Sequence, residues 1–92
     1  MDNGTEGSEK EMNKVRYYRL KSKMLLKDLA EKTGLSVGHL SHIEKGNKQP
    51  SKSAMESIAH SLGRTVPDVF YAPLTEIEQA EMEYLGAADD NG

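Results

Sequence analysis

The chain reads as all-α. Apolar residues recur at helical spacing from Met12 to Leu85, and no stretch alternates for long enough to suggest a strand. Capping residues and glycines stand where successive helices would start and stop. The expected architecture is a compact domain of five short helices over residues 12–71, with an acidic tail before it at 1–11. An acidic segment at 72–92 then holds one further short helix and a frayed end.

Each element has a reason in the residues. Residues 1–11 contain Gly4, Gly7 and Ser8 and only Met1 as an apolar side chain, too little to offset chain entropy, so disorder is expected there. Met12, Val15 and Tyr18 share one face of a first helix. Lys14, Arg16, Lys21 and Lys23 fall mainly on the other, and Lys14 and Lys21 read as an ordinary solvated surface. A second helix is expected from Leu26 to Thr33, with Leu29, Ala30 and Thr33 inward. Gly34 stops it, because glycine reaches positive φ without steric cost. Ser36 is a good N-cap for a third helix, Val37 to Lys45, whose inner face is Leu40, Ile43 and His39. Gly46 ends it, and residues 47–50 read as a polar loop. Ser51 caps a fourth helix to about Leu62, with Met55, Ile58, Ala59 and Leu62 on one face, and Gly63 closes it. Thr65 caps a short fifth helix with Pro67 near its start, where a missing N–H is tolerated. Val66, Val69 and Phe70 complete the core.

The last helix is expected at 76–85. Thr75 and Glu78 form a capping box, and Ile77, Ala80, Tyr84 and Leu85 make an apolar stripe. That stripe could dock on its own domain or on a second subunit; the second reading is preferred, making these four candidate dimer contacts. Residues after Gly86 should fray.

Composition narrows the function classes. A chain of 92 residues with one Phe and no Trp is one small domain with little room for a buried catalytic cleft. No apolar run approaches the roughly 18–20 residues of a membrane span. The acidic N-terminus has no apolar core and is not a secretory signal. Zero cysteines exclude disulfides and thiolate metal sites, and fit a cytoplasmic protein. The net charge of −3 is segregated. Residues 12–71 hold eleven Lys/Arg against five Asp/Glu, a net +6, while residues 72–92 hold six acids and no base. A basic domain favours polyanions, because each neutralised phosphate releases counterions. A merely solvated charged surface is the plainer alternative. The acidic flanks would discourage nonspecific binding along a duplex.

The most informative stretch is Leu26 to Lys45. Two short helices that cross steeply need a small residue where they touch, a turn residue tolerant of positive φ, and apolar residues inward on both. Ala30, Gly34, and Leu29, Leu35, Leu40 and Ile43 meet those needs. The second helix can then enter a major groove while the first crosses the backbone.

These residues resemble the Cro/phage-repressor (XRE-like) helix-turn-helix domain. Asp28–Ser36, Ile43–Gly46, Gln49-Pro50-Ser51, Leu62-Gly63 and Val69-Phe70 carry the resemblance, which runs from Val15 to about Phe70. It implies a five-helix repressor-like fold and sequence-specific binding of double-stranded DNA as a homodimer on a two-fold operator. Carried over, the base-reading positions are Ser36, Val37, Gly38, Ser41 and His42. Their chemistry is suitable: Val37 can meet a thymine methyl, Ser36 and Ser41 can bond base edges, and His42 can bond guanine N7 or O6. Gly38 has no side chain and permits close backbone approach. Phosphate contacts are expected from Lys45, Asn47, Lys48 and Lys52, and from Lys27 with the backbone amides opening the second helix. The resemblance also implies a scaffold ion pair between Arg19 and Glu44. The sequence departs from the pattern where Leu25 and Leu26 replace a capping residue and a phosphate-touching Gln. Lys23 stands where a Gly ends the first helix, and Lys52 where a buried Leu opens the fourth.

Other chemistry is not supported. His39 and His42 lie at i and i+3 with no cysteine or suitably placed acid beside them, so no metal is expected, nor any cofactor. His60 reads as a surface residue. Catalytic signatures are missing, so an enzyme is not expected. Glu76, Glu78, Glu81 and Glu83 read as solvated or as complementary to a basic partner. The leading expectation is a cytoplasmic, bacterial or phage-encoded transcriptional regulator associated with the nucleoid, and most often a repressor. The rival is a protein-interaction module or antitoxin that uses the same fold to bind a protein, suggested by Gly38, Leu25, Leu26 and the acidic C-terminal helix.

Overall fold

The computed structural model describes the backbone of residues 13–88 and the side chains of 13–86. The expected acidic tail, Met12 and residues 89–92 lie outside the described residues. Among the described residues six helices follow in order: α1 (Val15–Lys21), α2 (Leu26–Thr33), α3 (Val37–Glu44), α4 (Lys52–Ser61), α5 (Pro67–Tyr71) and α6 (Glu76–Ala88). No strand occurs among the described residues.

Local chemistry sets the boundaries. The Asn13 side-chain oxygen accepts from the Val15 N–H at 3.0 Å, and the Lys14 N–H donates to the Val69 carbonyl at 2.8 Å. Helix α1 therefore begins at Val15. It ends in a turn where Lys23 takes φ 57°, the left-handed region that glycine usually fills. At α2 the Asp28 carboxylate accepts from the Leu25 N–H at 2.9 Å. Leu25 offers no acceptor in return, so only half of a capping box exists. Gly34 closes α2 at φ 81°, its N–H donating to the Ala30 carbonyl at 2.8 Å. Ser36 and Ser51 cap α3 and α4, accepting from the His39 and Ala54 N–H groups at 3.0 and 3.1 Å. Helix α3 stops at Glu44, one residue before the expected end.

Helix α5 is a single π-helical turn. The Thr65 hydroxyl accepts from the Asp68 N–H at 3.2 Å, and the Ala72 N–H reaches back to the Pro67 carbonyl at 2.8 Å. Val15, Leu29, Leu40, Ile43, Ile58 and Val69 are fully buried, one or two from each of α1 to α5. Burying each such side chain stabilises by about 1.5–3 kcal/mol relative to exposure. Helices α3 and α4 both pack on α2, and α5 and α6 pack on α1.

Helix α6 corrects four expectations. Its inner face is Met82, which is buried, with Leu85 half-buried and Gly86 closed against α1. The expected stripe therefore splits: Leu85 turns inward, while Ile77, Ala80 and Tyr84 stay exposed. Lys14 is not part of a solvated face. It is buried under α6, with its Nζ 3.1 Å from Glu78. Glu78 and Glu81 are engaged by α1 of their own chain, since Lys21 lies 3.2 Å from Glu81 and the Tyr17 hydroxyl donates to it at 2.9 Å. The helix also continues to Ala88, past its expected end at 85.

Candidate nucleic-acid interface

Helix α3 divides cleanly into two sides. Leu40 and Ile43 are fully buried against α2 and the core. Ser36, Val37, Gly38 and His42 are exposed, and Ser41 is half-buried beside them. Val37 is 45% exposed, a large apolar side chain held in water at the first turn. The Ser36 hydroxyl already accepts from His39, so one lone pair and its proton remain for an outside partner. The Cβ position of Gly38 has no atom within 4 Å, so the backbone there is open to close approach.

Cations border this face. Lys27 follows the N-terminus of α2; Lys45, Asn47, Lys48 and Lys52 follow α3 into the start of α4, and all five are exposed. Lys27, Lys45, Lys48 and Lys52 make no ion pair among the described residues. Lys14 just before α1, Arg19 and Lys21 on it, and Arg64 behave differently. Lys14 pairs with Glu78, Arg19 with Glu44, Lys21 with Glu81, and Arg64 with Asp68. Pairing therefore makes the excess of positive charge uneven: the lysines beside α2–α4 are available, while Lys14, Arg19 and Lys21 at α1 are occupied.

Two contacts fix α3 to α1. The Arg19 Nε lies 2.7 Å from Glu44 Oε2, with both side chains nearly fully buried. Arg19 also donates to the Met24 carbonyl at 2.9 Å, bracing the turn after α1. The second contact escaped the sequence reading: the Asn13 amide donates to the Ile43 carbonyl at 2.8 Å. An Asn just before a helix is a capping signal, which could have drawn attention to it. Its partner thirty residues away could not be read in the same manner.

The α1–α6 contact has its own electrostatics. The backbone N–H of Thr75, and then Lys14, hold the Glu78 carboxyl below the usual carboxylate range. The Tyr17 hydroxyl, and then Lys21, do the same for Glu81. Burial and the neighbouring Glu81 push the Tyr17 phenol up. Burial, with a 2.9 Å hydrogen bond to Asp68, pushes Tyr18 up to about 12.

Comparisons with known proteins agree with this arrangement. Residues 15–69 match the helix-turn-helix family of Cro/C1 type. An uncharacterised HTH-type transcriptional regulator of Methanocaldococcus jannaschii, MJ0272, is 38% identical over 58 residues, which cover 63% of this chain and 88% of that protein. The crystal structure of the clp gene regulator ClgR from Corynebacterium glutamicum is similar at a TM-score of 0.61 and 31% identity, over 89% of this chain and 83% of that one. The family match takes in the helices from α1 into α5 and every residue of the candidate interface, and leaves out Lys14 and α6. The chain therefore belongs to the Cro/C1-type helix-turn-helix family, a family of DNA-binding regulators.

Proposed function

We propose that the chain is a sequence-specific transcriptional repressor that works in the cytoplasm as a homodimer on a two-fold operator. The supporting observation is the outward first turn of α3, with Val37, Gly38 and His42 in solvent and exposed cations on both sides. In this reading Ser36, Val37, Gly38, Ser41 and His42 meet base edges in the major groove. Lys27, Lys45, Asn47, Lys48 and Lys52 hold phosphates and set the register. Two copies place their α3 helices about 34 Å apart in successive grooves and exclude polymerase. The copies meet through the exposed Ile77, Ala80 and Tyr84 of α6, which lie at helical spacing on one side. No described helix is long and apolar enough to cross a membrane.

Fluorescence anisotropy with genomic fragments around its own gene tests this reading. Selective, salt-sensitive binding is expected, and it should weaken when His42 or Lys48 is replaced by Ala. Equal affinity for every duplex would defeat the sequence-specific claim. Light scattering on Tyr84→Glu should report a monomer if the α6 contact is right.

A second reading, a protein-docking module, has one observation behind it. Leu25 is 48% exposed at the N-cap of α2, where a polar capping residue would suit the helix better and an apolar one suits a protein contact. A co-purifying protein lost on Leu25→Ser, with function unchanged in His42→Ala, would favour it.

A further inference from the structure

The cations at and just before α1 are met by a helix whose only charged residues are acids. Lys14 reaches Glu78, Lys21 reaches Glu81, and the Arg16 guanidinium lies against α6 so closely that a Cβ on Gly86 would stand 2.7 Å from it. Between residues 76 and 83, α6 holds four Glu and no Lys or Arg. The positive charge that the sequence of α1 alone would present is thus met by the acids of α6.

We propose that Glu78 and Glu81 are specificity-determining positioning residues for DNA binding. By occupying Lys14 and Lys21 they remove α1 as a second phosphate-binding face, so that the α2–α4 side is the single orientation in which the domain meets a duplex. This rests on the DNA-binding reading above. The physical ground is that any exposed cluster of Lys and Arg binds duplex without regard to sequence, each phosphate contact adding about 0.9 to the salt slope. A regulator works by the ratio of operator to nonspecific affinity, so an idle cationic face lowers its effective occupancy even when operator contacts are perfect. Both side chains have long stems: released, the buried Lys14 ammonium can swing out to solvent, and the half-exposed Lys21 is left with no carboxylate partner. Glutamate at 78 and 81 prevents that while keeping the helix docked.

Glu78→Gln with Glu81→Gln is the direct test, because Gln keeps the shape and can still complete the capping box with Thr75. Anisotropy against a labelled duplex of random sequence should show a salt slope steeper by about 2. That is about tenfold more affinity lost between 50 and 200 mM salt than in the wild type. Adding Lys14→Gln and Lys21→Gln to the same chain should return the slope to the wild-type value. A purely structural role for the two glutamates would lower the melting temperature without moving the slope. If the paired change disturbs folding, Glu81→Gln alone, at the exposed rim of the contact, should steepen the slope by about 1. A wild type that binds duplex with a slope unaltered by either variant overturns this proposal alone. Binding by neither wild type nor variants at low salt overturns it together with the DNA-binding reading. Binding gained only by the variants supports it.

Discussion

Arg19 of α1 and Glu44 at the end of α3 form a buried ion pair, Nε to Oε2 at 2.7 Å, that joins α1 to the helix carrying the candidate base-reading residues. A second Arg19 nitrogen lies 3.3 Å from the other Glu44 oxygen, so the guanidinium meets the carboxylate along its edge. Removing one partner leaves the other charged and dry. Glu44→Ala should therefore destabilise the domain by about 3–5 kcal/mol in urea denaturation. Replacing both residues by apolar ones of similar volume should cost far less. A single-site loss under about 1 kcal/mol would place the pair with solvent-screened surface pairs instead.

Lys23 holds a left-handed φ of 57° at the turn after α1. A side chain in that region costs about 1–2 kcal/mol, part of which glycine gives back in unfolded-state entropy. Lys23→Gly should raise stability by about 0.5–1 kcal/mol. Thermal melting is the check, and an unchanged or lower midpoint would mean that the lysine side chain contributes something its geometry does not reveal.

Gly38 sits in the first turn of α3 with open space around its Cβ position. Gly38→Ala should stabilise the fold by up to about 1 kcal/mol through helix propensity. In the DNA-binding reading it should also weaken operator binding, since a methyl group now keeps the backbone from the groove. Stability rising while affinity falls is the expected signature; both rising would show that the groove is not approached at this point.

The α6 contact should be sensitive to acid. Glu78 and Glu81 ionise below the usual carboxylate range in the folded chain. Their contribution is thus complete above the unfolded value of about 4.3 and fades as the pH falls through the lower folded values. Near-UV circular dichroism of Tyr17 and Tyr18, whose rings are 5.2 Å apart, should report the loosening. The acid step should shrink in the chain carrying both Glu→Gln changes.

At the alkaline end the sign reverses. Tyr18 ionises near 12 rather than 10, because burial and Asp68 both oppose a phenolate. The fold is stabilised by the neutral phenol up to about pH 10, and that stabilisation disappears as the pH rises toward 12. Absorbance at the tyrosinate band should show one class ionising late in buffer and normally in denaturant.

Much of the fold was legible because its boundaries are local. Ser36, Ser51 and Gly34 act through bonds to residues within a turn of themselves, and those spacings lie in the sequence. Helix α6 was harder. Two apolar arcs run around it, one with Met82 and Leu85 and the other with Ile77, Ala80 and Tyr84. Periodicity cannot say which arc faces the domain. What decides is the capture of Glu78 and Glu81 by Lys14, Tyr17 and Lys21, partners some sixty residues away in the chain. The same distance hid the burial of Lys14, which reads as surface until α6 is laid over it. The outward residues of the candidate interface were readable because Leu40 and Ile43 fix which way α3 faces, and the side opposite follows.

The Asn13 amide bonded to the Ile43 carbonyl has a consequence for aim. With Glu44 gripped by Arg19 next to it, α3 is clamped at its heel like a blade in a handle, and its tip is free. In the DNA-binding reading, the pitch at which the tip enters a groove is inherited from α1, so residues that never come near a nucleotide still steer where it lands.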